Sequence, residues 1–147
     1  MMYGFYYVFK RCEIRSRFED PEGPIREFTW ARFVIQGRPH AESPRNHVKG
    51  AGKDIRIVGS LVTPWNDRRG HLLTPAMITG VFDSGVEILI IGTGVENSLK
   101  CPDEVQGLIL QRGISRVLAL PTPQACRDFN RLFREKARVA LLAHGTC

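Results

Sequence analysis

Two short polar segments in the second half of the chain carry the residue types that do chemistry. Gly92-Thr93-Gly94 follows an apolar run. Glycines in such a turn let backbone N–H groups converge on one point, which suits a small anion. The tripeptide is not a dinucleotide fingerprint, because position 97 is Asn97, and it is not a P-loop, which needs Gly-Lys-Ser/Thr. A tight turn closing a buried strand uses the same residues equally well. The second segment is Thr122-Pro123-Gln124-Ala125-Cys126. Cys126 falls at a helix start, where the dipole and Arg127 can lower a thiol pKa. It also shares core spacing with Phe129 and Phe133, which favours a buried thiol. Neither His71, in a loop, nor His144, near the end of the sequence, is placed by spacing to serve as its base.

The other candidates are weaker. His40 and His47 are too far apart in a loop for an ordinary metal-ligand pair, so no metal and no cofactor are expected. Asp67, Asp83 and Asp103 propose no carboxylate pair, and no serine sits in a GxSxG elbow. No catalytic residue is expected, and the enzyme reading is disfavoured. Asn130 faces the inner side of its helix, where a buried amide must be paired; the spacing suggests a tie to the Thr122 turn or to the glycine turn.

These residues need elements to hold them. Residues 86–91 form a nearly continuous apolar run, as in a strand buried on both faces of a parallel sheet. Residues 103–112 read as a helix, 115–120 as another buried strand, 123–136 as a helix and 138–143 as a closing strand. Ligands of such sheets bind outside the carboxyl ends of the strands. That rule places Gly92, Thr93, Gly94 and Thr122 on one rim, with Pro64 and Trp65 joining them. Earlier in the chain, residues 28–36 and 54–62 read as antiparallel strands around a basic loop, residues 38–53. Thr74-Pro75 opens a helix through Met77, Ile78, Val81 and Phe82, ended by Gly85. The turn-rich stretch 19–24 separates an N-terminal extension, residues 1–24, from a single α/β domain, residues 25–147.

Composition excludes several classes. The 147 residues are 43% hydrophobic and 24% charged, ordinary for a globular domain. The net charge of +6 is spread along the chain, 11 basic against 7 acidic in residues 1–60 and 10 against 8 in residues 61–147. A nucleic-acid binder concentrates its charge, and the basic loop holds no aromatic residue for base stacking; nucleic acid is not an expected partner. Cys12, Cys101, Cys126 and Cys147 are irregularly spaced, which argues for free thiols in a reducing compartment. The aromatic start, residues 1–9, lacks the basic flank and cleavage site of a signal peptide and is too short to span a bilayer. A cytoplasmic protein without a transmembrane segment is expected.

The same residues carry a family resemblance. Pro64-Trp65, then Glu87-Ile88-Leu89-Ile90-Ile91-Gly92-Thr93-Gly94, then Gly113-Ile114, then Thr122 with Ala125-Cys126 and Phe129-Asn130, then Glu135 with Arg138-Val139-Ala140 resemble a small α/β family of unknown molecular function. That family is found in bacteria, archaea and eukaryotes and includes the mitochondrial complex I assembly factor 3 and an adipogenesis-associated relative. The likeness covers residues 54–143. It implies a three-layer α/β domain with a mixed central sheet, and no established catalytic residue, cofactor or substrate. Its eukaryotic members act as assembly factors through protein contacts. Carried over by position, Pro64, Trp65, Gly92, Thr93, Gly94, Thr122, Ala125, Asn130 and Arg138 match. Phe129 stands where the family usually has Tyr, and the basic loop and aromatic start are atypical.

The reading that follows is a non-enzymatic assembly or adaptor protein with a protein partner, possible subunits of a membrane complex among them. Trp65 and the basic loop are its expected contact surface, since exposed Trp and Arg are frequent interface anchors. The alternative is a small-molecule or anion binder, an enzyme among the options, using Gly92-Thr93-Gly94 and Thr122. Self-association through the aromatic N-terminal strand is an open option.

Overall fold

The computed structural model describes residues 17–42 and 48–147. Among these, the first half forms an antiparallel meander of β1 (Phe18–Glu19), β2 (Ile25–Thr29), β3 (Arg32–Ile35), β4 (Arg38–Glu42) and β5 (Val48–Lys49), paired in chain order. The alternation of β2 and β3 sends Ile25, Phe28, Phe33 and Ile35 inward. Residues 28–36 are therefore not one strand. Trp30 and Ala31 turn the chain between β2 and β3, with Ala31 at φ +59°. Much of the expected basic loop is likewise ordered strand, and His40 on β4 is buried, its Nδ1 accepting the Ala51 amide at 2.8 Å. His47, Cys12 and the aromatic start lie outside the described residues.

The second sheet is built from β6 (Ile55–Val58), β7 (Leu61–Pro64), β8 (Ile88–Gly92), β9 (Arg116–Leu120) and β10 (Val139–Ala143), in the order β7-β6-β10-β8-β9. β8 runs parallel to both β9 and β10, whereas β6 is antiparallel to β10 and to β7. The sheet is mixed, as expected. β9 is one edge of the sheet and is half exposed rather than buried, because no strand among the described residues covers its outer side. The β6–β7 hairpin turns at Gly59 (φ +61°) and Ser60, which divides the expected strand 54–62 in two.

Two helices complete the crossovers: α1 (Asp103–Gln111) and α2 (Thr122–Arg134). Val105 and Ile109 of α1 pack with Trp65, Leu73, Val81, Leu89, Ile91 and Leu142 on one face of the mixed sheet. Ala125, Cys126, Phe129 and Leu132 of α2 pack with Ile88, Ile90, Leu141 and the meander's Ile25, Phe28 and Phe33 on the other. The result is three layers, with β8 apolar on both faces because both are covered. The chain leaves β8 toward one face and β9 toward the other, so a topological switch falls between their carboxyl ends, where α/β sheets bind ligands.

The helix expected after Thr74 is absent. A single 3-10 turn, Pro75–Met77, is followed by extended Ile78 and by Gly80 at φ +73°. Side chains take the carbonyls that would continue it: Trp65 Nε1 donates to Met77 O at 2.8 Å and Arg56 Nε to Thr79 O at 2.7 Å. No helix among the described residues is long and apolar enough to cross a membrane.

Candidate functional site

Gly92, Thr93, Gly94 and Thr122 do meet at the carboxyl edge. Thr122 is fully buried, and its hydroxyl accepts the Gly94 amide at 2.9 Å and donates to His144 O at 2.7 Å. Its own amide donates to Gly94 O at 3.0 Å. The neighbouring amides are engaged as well: Thr93 N with Leu120 O at 2.8 Å, Val95 N with Thr146 O at 2.6 Å, and Glu96 N and Ser98 N each with Cys147 O at 3.1 Å. Gly94 has φ +97°, and a Cβ there would lie 2.2 Å from the carbonyl carbon of Cys147. Residues 145–147 thus lie directly over the glycine turn.

The segment that covers the turn brings a second set of polar groups with it. The antiparallel register sets Ala143 opposite Ile55, so His144, one residue on, lies beside Asp54, one residue back. His144 Nδ1 is 3.0 Å from Asp54 Oδ1, which also accepts the Gly145 amide at 2.9 Å. Arg68 Nε donates to Asp54 Oδ2 at 2.8 Å. Burial raises the Asp54 carboxyl, but the bonds from His144, Gly145 and Arg68 outweigh it and hold the group below its ordinary value. An ionised Asp54 only accepts, so in the neutral tautomer of His144 the proton sits on Nδ1 and the lone pair on Nε2. Nε2 faces Thr146 Oγ1 at 3.3 Å and Cys147 Sγ at 3.7 Å. His71 Nε2 approaches the same sulfur at 3.2 Å.

His71 is held there by backbone. Its carbonyl accepts the Lys100 amide at 2.8 Å, and Leu73 N donates to Lys100 O at 2.9 Å. Beside Asp54 opens a cleft of about 350 Å³, lined by Lys53, Asp54, Trp65, Asn66, Arg68 and Arg69 among others.

The sequence-derived candidates divide. Pro64 is exposed and adjoins that cleft, while Trp65 is only 1% exposed and is not a surface anchor. Its ring belongs to the core under α1, and its N–H is spent on Met77. Asn130 does not reach the rim. It faces the meander, accepting from Ile25 N at 3.0 Å and donating to Ile25 O at 2.7 Å and Asp20 Oδ2 at 3.0 Å. Arg138 is also away from the rim, because it precedes β10 and so sits at the amino end of the strand, paired with Glu87 at 2.7 Å. Cys126 is a core thiol, wholly buried and pushed up by burial. Asp54, His71, His144 and Cys147 were not among the expected site residues. The available signal was a histidine and a cysteine three positions apart, directly after the last strand of a parallel array.

An open α/β sheet with a closed glycine turn at its switch point defines the class. The chain belongs to the family described as protein of unknown function (DUF498/DUF598), which matches residues 25–144. Among solved structures, it is similar to an outer membrane protein of Bartonella henselae, at 27% identity over 85% of this chain and 96% of that one, with a TM-score of 0.65. It is similar in fold to a conserved hypothetical protein of Pyrococcus horikoshii, at 21% identity over 84% and 98% of the two chains, TM-score 0.62. A Bordetella pertussis protein described as an Mth938-like domain matches at 18% identity over 84% and 85%, TM-score 0.53.

Proposed function

We propose that the protein is a non-enzymatic assembly or adaptor protein that acts through protein contacts, with subunits of a membrane complex as the partner class that the family resemblance suggests. The closed rim carries this reading. The amides of Thr93, Gly94, Val95, Glu96 and Ser98 are bonded within the chain, so the glycine turn serves as structure. Large apolar side chains stand outside instead: Trp30 is 51% exposed and Leu61 65%. An exposed tryptophan such as Trp30 is a frequent interface anchor. The test is photo-crosslinking in cells of the source organism, with a photoreactive amino acid at position 30 or 61. A discrete adduct with one protein is expected from at least one position. Diffuse labelling from both would sink the adaptor reading.

The cleft beside Asp54 favours a second reading, an anion binder. Lys53, Arg68 and Arg69 outnumber Glu42 and Asp54 in its lining, with Lys53 paired to Glu42 and Arg68 to Asp54, and its volume of about 350 Å³ lies within the range of small-molecule sites. A thermal-shift screen with phosphates and carboxylates tests it. A ligand at about 100 times its Kd adds about 2.7 kcal/mol, or roughly 5–10 °C for a chain of this size. Lys53→Ala combined with Arg69→Ala should abolish such a shift.

A further inference from the structure

We infer that His71, His144 and Cys147 form a binding site for a divalent transition metal of the zinc class. One donor atom from each residue lies within 4.8 Å of the others. Tetrahedral zinc with nitrogen ligands at about 2.0–2.1 Å and sulfur at about 2.3 Å requires N···S separations of about 3.6 Å. The two here are 3.2 Å, from His71 Nε2, and 3.7 Å, from His144 Nε2. The two imidazole nitrogens, which zinc would hold about 3.3 Å apart, lie within 4.8 Å of each other, so taking up an ion requires the exposed His71 ring to swing inward by up to about 1.5 Å. Imidazole nitrogen with thiolate is the donor set that suits zinc and its neighbours rather than magnesium or calcium.

The surroundings match a metal site beyond the three ligands. Asp54 accepts from His144 Nδ1, the carboxylate–histidine arrangement that orients a ligating imidazole and sets its tautomer. The ligands come from two stretches, one holding His71 and the other His144 and Cys147, and residues 98–100 bond to both through backbone: Lys100 N to His71 O, and Ser98 N to Cys147 O. His71 is exposed and Cys147 half-buried, so an ion can reach the site, and solvent can supply a fourth ligand. Binding releases the Cys147 thiol proton to solvent while both Nε2 atoms donate lone pairs.

Cys147, His144 and Asp54 also follow the order of a cysteine nucleophile, its base and its orienting acid. Two features favour the metal. The sulfur is nearer to the second imidazole, His71, than to His144. The Glu96 and Ser98 amides, which would be needed to stabilise an oxyanion, are bonded to Cys147 O. The inference does not depend on the adaptor reading.

The experiment uses the untagged full chain, reduced and freed of metal. Cobalt(II) chloride is titrated in, followed by zinc(II) chloride in competition with a chromophoric chelator. One cobalt per chain is expected, with visible d–d bands and a near-ultraviolet thiolate-to-cobalt band that zinc abolishes. Cys147→Ser should remove the thiolate band. His71→Ala should weaken zinc by more than the about 10-fold that losing an outer-shell partner can cost. Both positions lie outside the core, and circular dichroism checks that each variant is folded. Zinc should also protect Cys147 from iodoacetamide. No thiolate band in the parent chain, a band that survives Cys147→Ser, or alkylation of Cys147 at an unchanged rate under saturating zinc would each overturn the site.

Discussion

His144 Nδ1 lies 3.0 Å from Oδ1 of Asp54, a residue 90 positions earlier in the chain. Asp54 ends the approach to β6 and His144 leaves β10, so the sheet register sets this distance. Asp54→Asn tests what the carboxylate does. The amide can present either its oxygen or its nitrogen to Nδ1, so the imidazole is no longer held in one tautomer. Zinc affinity should fall by about 10–100-fold, while the thiolate-to-cobalt band from Cys147 survives at saturation. Unchanged affinity would show that Asp54 serves only Arg68 and Gly145.

Asn130 binds the two halves of the fold to each other. Its amide satisfies both backbone groups of Ile25, and all the groups involved are buried. Asn130→Ala leaves a buried N–H and a buried C=O without partners. Each costs about 1–3 kcal/mol, so a loss of roughly 3 kcal/mol is expected, or about 6–12 °C in Tm for a chain of this size. Calorimetry decides. A drop of less than about 1 kcal/mol would mean that water replaces the amide and that the helix–meander contact is looser than its burial implies.

The strand–helix alternation of the second half was legible because it follows from patterns within single elements, whereas the three layers were implied by the family resemblance. The apolar run at Ile88–Gly92 needs cover on both faces, and Ala125, Cys126, Phe129 and Leu132 repeat at helical spacing. The failures occurred where contacts distant in sequence decide. Thr74-Pro75 is a sound helix start, yet Trp65 and Arg56 take the carbonyls a helix would use. Asn130 was read as polar and buried, but its partner Ile25 lies in the meander, more than 100 positions away. The cluster of His71, His144 and Cys147 has the same cause. Only the pairing of β6 with β10 and the bridge of Leu72 to Lys100 bring those side chains together.

Gly94 and Gly37 both have positive φ, +97° and +79°, but their surroundings differ. Among the described residues, nothing lies within 4 Å of a Cβ built at Gly37, whereas at Gly94 it would meet the Cys147 carbonyl carbon at 2.2 Å. Gly37→Ala should cost only the backbone strain, about 1–2 kcal/mol. Gly94→Ala should cost more than that, because backbone must move. It should also displace residues 145–147 and weaken cobalt binding at Cys147. Denaturant midpoints and the cobalt titration check the pair together. Equal destabilisation with unchanged cobalt affinity would show that the segment over the turn does not depend on this close approach.

His40 supplies the pH dependence. Burial, and then the positive charge of Arg38, hold its pKa below 6.5 in the folded protein. Its Nδ1 already accepts the Ala51 amide, so protonation there would break that bond. Below about pH 6.5 the unfolded chain binds a proton that the folded chain resists, and stability falls as the pH is lowered. The contribution is complete above that value, declines as pH falls, and is lost once pH drops below the folded pKa. His40→Asn can keep an acceptor for Ala51 without a titrating group. The stability difference between parent and variant, from urea midpoints at about pH 7.5 and about pH 5.5, should move in the variant's favour at the lower pH. Parallel pH profiles would show that the β4–β5 hairpin opens enough for water to carry the imidazolium charge.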